Sequence, residues 1–236
     1  MATGKAVGPW PNGAQAAIAF TLDNMGEAAD LNRKLWPDCE PIGRHYSVTK
    51  VLPVLLPLLK KYDISVTYFI EGWNIQVYGD SILGQIAAAG HEVGWHAWQH
   101  EAWVKLGAEE EAENFTRSFG PQGFGKWLDG KEMEPPAGEM AASIKLGPPE
   151  DRLTVLPFKW ATVDAYFYME TFAGLRRIKG EYPEEPQAPP VLVARVTAEI
   201  DKAIRARGFL AILFHPFLTD NPERLEALDL SFYSKD

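Results

Sequence analysis

Three of the five histidines in this 236-residue chain fall within ten positions, in the run GHEVGWHAWQHEAW from Gly90 to Trp103. His96 and His100 are four apart, a spacing that puts both imidazoles on one face of a helical turn. Imidazole is the commonest protein metal ligand, and two on one face can grip a single ion. The protease pattern His-Glu-x-x-His is absent, because His91 and His96 are five apart around Glu92 and point to different faces of any helix. A His-x-x-x-His pair alone is more often packing or surface chemistry than a site, but here glycine and tryptophan crowd around it. A fourth histidine, His215, ends the apolar run Phe209–Phe214 and precedes Pro216. A capped, hydrogen-bonded core histidine is the ordinary alternative there. The polar set Asp23, Asn24 and Glu27 follows the apolar run AAIAFTL, where side chains are well placed to act at a strand's C-terminal end. Taken alone, that segment reads first as a turn, since Asp and Asn cap helices and form Asx turns.

Those residues need elements to carry them. Ala16–Leu22 and Phe209–Phe214 are buried-type apolar strands, and Ile64–Ile70, ISVTYFI, is β-branched and aromatic as strands prefer. Glu92–Trp95 is a short strand that delivers the histidines to the end of a sheet, where α/β sites lie. Leu52, Leu55, Leu56 and Leu59 give Val48–Tyr62 a helical stripe, with Pro53 and Pro57 expected to kink it or delay its start. Ser81–Ala89 is a helix stopped by Gly90, and Val191–Arg207 is the best helix of the chain, stopped by Gly208. Strand, helix, strand, helix, strand implies parallel strands with crossover helices. Further expectations are a short acidic helix over Ala108–Phe119, a plain loop at Gly120–Gly125, and a long connection or lid at Lys131–Pro149. Leu153–Pro157 reads as a strand, Tyr182–Pro190 as a stiff exposed linker, and the stretch after Pro222 as a short helix. Trp160 and Tyr166, in the aromatic run Phe158–Phe172, and Trp98, between the paired histidines, are the candidates to line a substrate pocket. Core packing is the more frequent role for such rings.

Composition bounds the function. Lys and Arg number 23 against 32 Asp and Glu, a formal charge of −9, so nucleic acid and anionic membrane surfaces are not expected partners. The single cysteine cannot make an internal disulfide, no apolar run is long enough to span a bilayer, and no signal-peptide pattern is evident. A cytoplasmic protein with one domain over residues 1–236 is expected. Homo-oligomer formation is left open.

Three strand ends resemble one family in order and spacing. AFTLDN followed by GE resembles the first motif of the NodB-type polysaccharide deacetylases, carbohydrate esterase family 4, in a divergent intracellular branch. GHEVGWHAWQH resembles the second, His-Ser/Thr-x-x-His after a Gly-His-Glu strand, and LAILFHP resembles the late motif. The resemblance spans residues 16–216. It implies an irregular or incomplete (β/α) barrel of about seven parallel strands. It implies Asp23 as general base, His215 as the acid that protonates the leaving amine, and His96, His100 and Asn24 as ligands of a divalent ion, zinc before others. The implied reaction is hydrolysis of a non-peptide C–N bond in an N-acyl sugar or small amide, by metal-activated water.

The chain departs from the pattern twice. Where the family has a metal-binding Asp beside the base, this chain has Asn24, and the next position is Met25. Glu27 is then the nearest carboxylate able to substitute. The third-motif Arg ahead of Pro-x-Gly has no counterpart in Gly120–Gly123 or Glu134–Gly138. These departures keep two alternatives in view: a metal-independent enzyme on the same scaffold acting on a cyclic amide or imide, and a non-catalytic ligand-binding relative.

Overall fold

A computed structural model describes residues 10–121, 123–124, 156 and 158–233. Strand β1 spans Ala17–Asp23 and is followed by α1, Ala28–Asn32. A π turn over Ser47–Val51 leads into α2, Leu52–Lys61, then β2, Thr67–Ile70. Helices α3, Gly72–Tyr78, and α4, Asp80–Ala88, precede β3, Glu92–Trp95, and α5, Ala108–Phe119. The later part holds α6, Asp164–Tyr168, α7, Ala173–Lys179, α8, Pro189–Ala206, β4, Phe209–Phe214, and α9, Pro222–Tyr233. The four strands lie parallel in the order β3-β2-β1-β4. Val163 adds a single parallel bridge to Leu213. The strand expected over Leu153–Pro157 and the connection over Lys131–Pro149 fall outside the described residues, Leu156 excepted, which is in no strand.

Chain contacts divide the molecule into two compact units, each discontinuous in sequence. The first comprises Met1–Leu22, Lys50–Thr67 and Pro157–Asp236. Here β1 and β4 pair in register from Ala17↔Phe209 to Leu22↔Phe214. Phe20, Leu22, Leu210, Ile212 and Phe214 are buried, as the apolar runs require. Phe232 of α9 sits among them, edge-on to Phe20 at 5.0 Å between ring centroids. The prolines of α2 have the predicted effect: the α-helix starts only at Leu52, with Pro53 in the first turn, where no partner for its nitrogen is needed. Pro57 lies inside, and Leu55 and Leu59 still bury fully. The proline-rich stretch before α8 is tied down rather than free. The buried Arg176 guanidinium donates to the carbonyls of Pro183 and Glu184, and also to those of Tyr166 (2.5 Å) and Met169 (3.1 Å). An arginine can be buried at tolerable cost only when its donors are used this fully.

The second unit comprises Asp23–Thr49 and Tyr68–Leu156. Trp95, at the end of β3, packs edge-on against Trp103 at 5.3 Å and Phe115 at 5.4 Å, which seats α5. Helix α5 follows the predicted bounds. Its Glu110 carboxylate accepts the Gly107 N–H at 2.9 Å, and acidic residues fill its first turn, where the helix dipole favours negative charge.

Candidate functional site

The second unit carries most of the sequence-predicted residues. Asp23 is the last residue of β1, and His96 follows β3 directly. The His96 N–H donates to the Ile70 carbonyl at 3.0 Å, so the strand pairing runs right up to the histidine. Asp23 and His96 then meet, with Oδ2 3.8 Å from Nε2. The rings of His96 and His100 are 4.8 Å apart and nearly perpendicular. The pair is brought together, but not by the helical face expected from its spacing. Residues 97–99 form a turn, with Ala97 at φ 64° and His100 at φ 63°. That turn is braced from two sides. The Ala97 and Trp98 carbonyls accept the Gly72 and Trp73 N–H groups at the start of α3, both at 3.0 Å. Those are helix-end donors that would otherwise lack partners. The Glu101 carboxylate accepts the Trp98 and Gln99 N–H groups at 3.0 and 2.9 Å.

The turn after Asp23 is braced more heavily. Asn24 and Gly26 both adopt positive φ, 60° and 76°. Asn tolerates this better than most residues. Gly26 is required for a second reason: a Cβ there would lie 2.5 Å from Asn74 Oδ1 and 2.7 Å from the Tyr78 ring. The Met25 N–H donates to Glu71 Oε2 at 3.4 Å, Asn74 Nδ2 donates to the Met25 carbonyl, and the Gly26 N–H donates to Ser47 Oγ at 3.1 Å. Ser47 is held by His45 Nδ1 at 2.7 Å, and His45 Nε2 lies 3.5 Å from Asp30.

Glu71 and Asn74 were not singled out from the sequence. Glu71 follows β2 directly and is fully buried. Burial pushes its carboxyl up to about 8, against the pull of its hydrogen bonds from Asn74 and Met25, and the nearby Asp23 charge adds to the rise. Burial likewise drives the Tyr68 hydroxyl up, helped by the charges of Glu71 and Asp23. Four buried oxygens in this group have no hydrogen-bond partner: Asn24 Oδ1, Tyr68 OH, Glu71 Oε1 and Asn74 Oδ1.

Glu27 does not take the place of the missing metal-binding aspartate. Its buried carboxylate accepts the Gly43 and Arg44 N–H groups, at 2.8 and 3.1 Å, and the Tyr78 hydroxyl at 2.6 Å. It is consumed in holding the loop that leads to His45. Nor does the rest of the set fit a tightly held dication. Among the described residues no group of three or more His, Cys, Asp or Glu is placed to hold one. Asn24 offers a neutral oxygen. Arg33 Nη2 lies 3.0 Å from His100 Nδ1. A guanidinium only donates, so Nδ1 accepts, and a neutral His100 then carries its proton on Nε2, leaving neither nitrogen to bind metal.

The first unit carries His215, the residue after β4. Its partner is Asp164, another residue the sequence reading passed over. Asp164 is fully buried, one step beyond the Val163–Leu213 bridge. Its Oδ2 accepts the His215 N–H at 2.7 Å, and its Oδ1 accepts His215 Nδ1–H at 2.6 Å and the Ala165 N–H at 2.7 Å. A carboxylate on Nδ1 fixes the tautomer and leaves Nε2 to exchange the proton. The aromatic candidates are dispersed. Tyr166 is wholly buried, edge-on to Phe167 and Tyr182. Trp160 is partly exposed, packed between Phe158 and Phe172. In the second unit, Trp98 lines an open cavity of about 390 Å³ with Gln76, Thr116, Arg117, Gly120 and Pro121.

Of the third-motif alternatives, Glu134–Gly138 and Gln122 lie outside the described residues. No helix among the described residues is long and apolar enough to cross a membrane.

Comparison with known proteins bears on the fold and the family. Residues 36–142 match the family model of polysaccharide deacetylase. A peptidoglycan deacetylase of Helicobacter pylori is 36% identical over 67 residues, 28% of this chain and 22% of that protein. The chain spans less than half the length of the curated relatives it matches. A crystal structure described as a putative polysaccharide deacetylase from Mycobacterium smegmatis superposes with a TM-score of 0.68 at 21% identity, covering 97% of this chain and 86% of that one. The structure of Puue allantoinase gives 0.66 at 16% identity, covering 95% and 85%. At these identities the structures establish the fold, a parallel (β/α) architecture of the NodB kind. The family match over residues 36–142, together with the motif residues at the strand ends, supports a relative of the NodB-type polysaccharide deacetylases.

Proposed function

We propose that this chain hydrolyses a non-peptide C–N bond, deacylating an N-acyl sugar or a small amide. The observation that carries the reading is the Asp23 carboxylate at the end of β1, 3.8 Å from the His96 ring. A carboxylate there can take a proton from water as the water adds to the acyl carbon. His96 steadies the carboxylate, and the positive charge beside the histidines comes from Arg33. His215, oriented through Nδ1 by Asp164, gives the proton from Nε2 to the leaving nitrogen as the C–N bond breaks. One proton is taken and one given, so the sum is addition of water across the bond.

The Arg33–His100 contact and the neutral Asn24 favour a metal-independent form of this chemistry. That form extends the candidate substrates to cyclic amides and imides. Trp98 and its cavity offer a face for a sugar ring or a flat heterocycle.

The test uses purified protein, prepared without chelator or added metal, on N-acetylglucosamine, its short oligomers, simple N-acyl amines and cyclic imides. Turnover of one class is expected, falling by about 10²–10⁴ in Asp23→Asn. Elemental analysis should find far less than one metal ion per chain; a stoichiometric divalent ion would restore the zinc-dependent mechanism. Ligand binding that survives Asp23→Asn and His215→Ala, with no turnover of any compound, would mark a binding protein instead.

A further inference from the structure

The turn that aims Asp23 is not stable by its own sequence. It combines a left-handed Asn24 with a left-handed Gly26, and the Met25 peptide between them is buried. Leaving a buried N–H or carbonyl without a partner is destabilising. Both polar atoms of Met25 find theirs on one short segment, Glu71 to Asn74. The Glu71 carboxyl accepts the Met25 N–H at 3.4 Å, and Asn74 Nδ2 donates to the Met25 carbonyl. Asn74 Nδ2 also donates to Glu71 Oε2 at 2.8 Å, so the two side chains form one rigid clasp. The clasp is itself fixed, because Glu71 ends β2 and Asn74 lies in the first turn of α3, whose opening N–H groups are held by the histidine turn. Asp23 and His96 therefore take their places from a single support.

We infer that Glu71 and Asn74 are positioning residues for the reaction, acting through the Met25 peptide to hold the direction of the Asp23 carboxylate. This rests on Asp23 being the base. Neither residue touches the reacting atoms. Removing the Glu71 acceptor leaves the Met25 N–H buried and unpaired, releases the left-handed turn and lets Asp23 swing. The consequence falls on the chemical step more than on substrate binding, since small misplacement of a catalytic group costs rate out of proportion to contact. Gln can replace Glu71 as an acceptor of the same length, whereas Ala cannot.

The experiment compares Glu71→Ala, Glu71→Gln and Asn74→Ala with the parent, using the N-acetylglucosamine tetramer, or whichever amide the parent hydrolyses. Met25 amide exchange is read in parallel by NMR. In Glu71→Ala and Asn74→Ala, kcat should fall by about tenfold or more with KM within about twofold, a loss of roughly 1.4 kcal/mol or more of transition-state stabilisation. Glu71→Gln should restore kcat to within about threefold. Exchange should accelerate at Met25 and Gly26 alone in the two alanine variants, and return to the parent rate in Glu71→Gln. An unchanged kcat in a folded alanine variant, or failure of Gln to rescue, overturns the assignment. If Glu71→Ala does not fold, Asn74→Ala and Glu71→Gln decide on the same criteria. If the parent hydrolyses none of the compounds, the hydrolase reading falls. The clasp is then judged on exchange: local acceleration rescued by Gln sustains it, and unchanged or chain-wide acceleration sinks it.

Discussion

Each unit buries a carboxyl beside a motif residue, and the two are treated in opposite ways. Asp164 is surrounded by donors: three N–H groups converge on its two oxygens, two of them from His215. Glu71 takes two donors on one oxygen, has none on the other, and feels the nearby Asp23 charge; Asn24 Oδ1, Tyr68 OH and Asn74 Oδ1 in the same group also lack partners. A buried carboxylate that is fully hydrogen-bonded is held in place. Burial away from water, with the Asp23 charge nearby, makes the Glu71 carboxyl hold its proton more tightly. The lesson is that burial alone does not say what a carboxyl does; the count of donors around it does.

Replacing each acid by its isosteric amide puts that contrast at risk directly. Asp164→Asn should give the larger loss. The amide cannot accept from all three N–H groups, and its own NH₂ would face a donor. Denaturant unfolding should show roughly 2–4 kcal/mol of destabilisation. A loss under about 0.5 kcal/mol would mean the Asp164 network is not the tight one.

Glu71→Gln should move the other way, and with pH. In the folded protein the Glu71 carboxyl titrates at about 8, against 4.5 for a free side chain. Between these values the folded state holds a proton that the unfolded chain has released, so the parent loses stability as pH rises through that window. Gln has no proton to lose. Relative to the parent, the variant should gain on the order of a few kcal/mol between pH 5 and 8, with no further gain above. A pH-independent difference would show that folding does not raise the Glu71 carboxyl and would erase the distinction.

Gly26→Ala sharpens the picture of the crowded turn. The added methyl must displace the Asn74 amide in a left-handed backbone, and about 1–3 kcal/mol of destabilisation is expected. A neutral result would show that the clasp has slack. Lys61→Ala is the smallest and serves as a reference away from both buried carboxyls. Its ammonium is 56% exposed and lies 3.1 Å from Asp229, which also accepts the Tyr62 hydroxyl. No measurable change in the unfolding midpoint is expected, as for other exposed pairs.

The parts of the fold that were legible in the sequence are those written in local pattern. Continuous apolar runs gave β1 and β4, with Phe209–Phe214 matching to the residue. Acidic residues behind a glycine gave α5, and an apolar stripe ended by a glycine gave α8. Of the candidate residues, Asp23, His96 and His215 were legible because each closes or follows an apolar strand. What stayed hidden is relational. Asp164 lies inside an aromatic run, and nothing nearby shows that its acceptors are meant for a backbone and ring 51 positions later. Glu71 looks like an ordinary charged residue after a strand until burial is known. Spacing misled at His96 and His100, because two left-handed residues, one of them an alanine, replace the helical turn that the interval suggests. The same kind of error made Glu27 look available: its three donors come from positions 16 to 51 residues away.

The pairing of β1 with β4 joins Ala17 to Phe209 and Leu22 to Phe214. On a ribosome, β1 emerges before β4 and waits through nearly two hundred codons for that neighbour. During the wait one edge of an apolar strand stands open to any other extended chain, the circumstance in which nascent proteins need chaperones and fold slowly. Thr21, whose hydroxyl reaches the Ile212 carbonyl 3.3 Å away, is among the last groups in the first strand to find its mate.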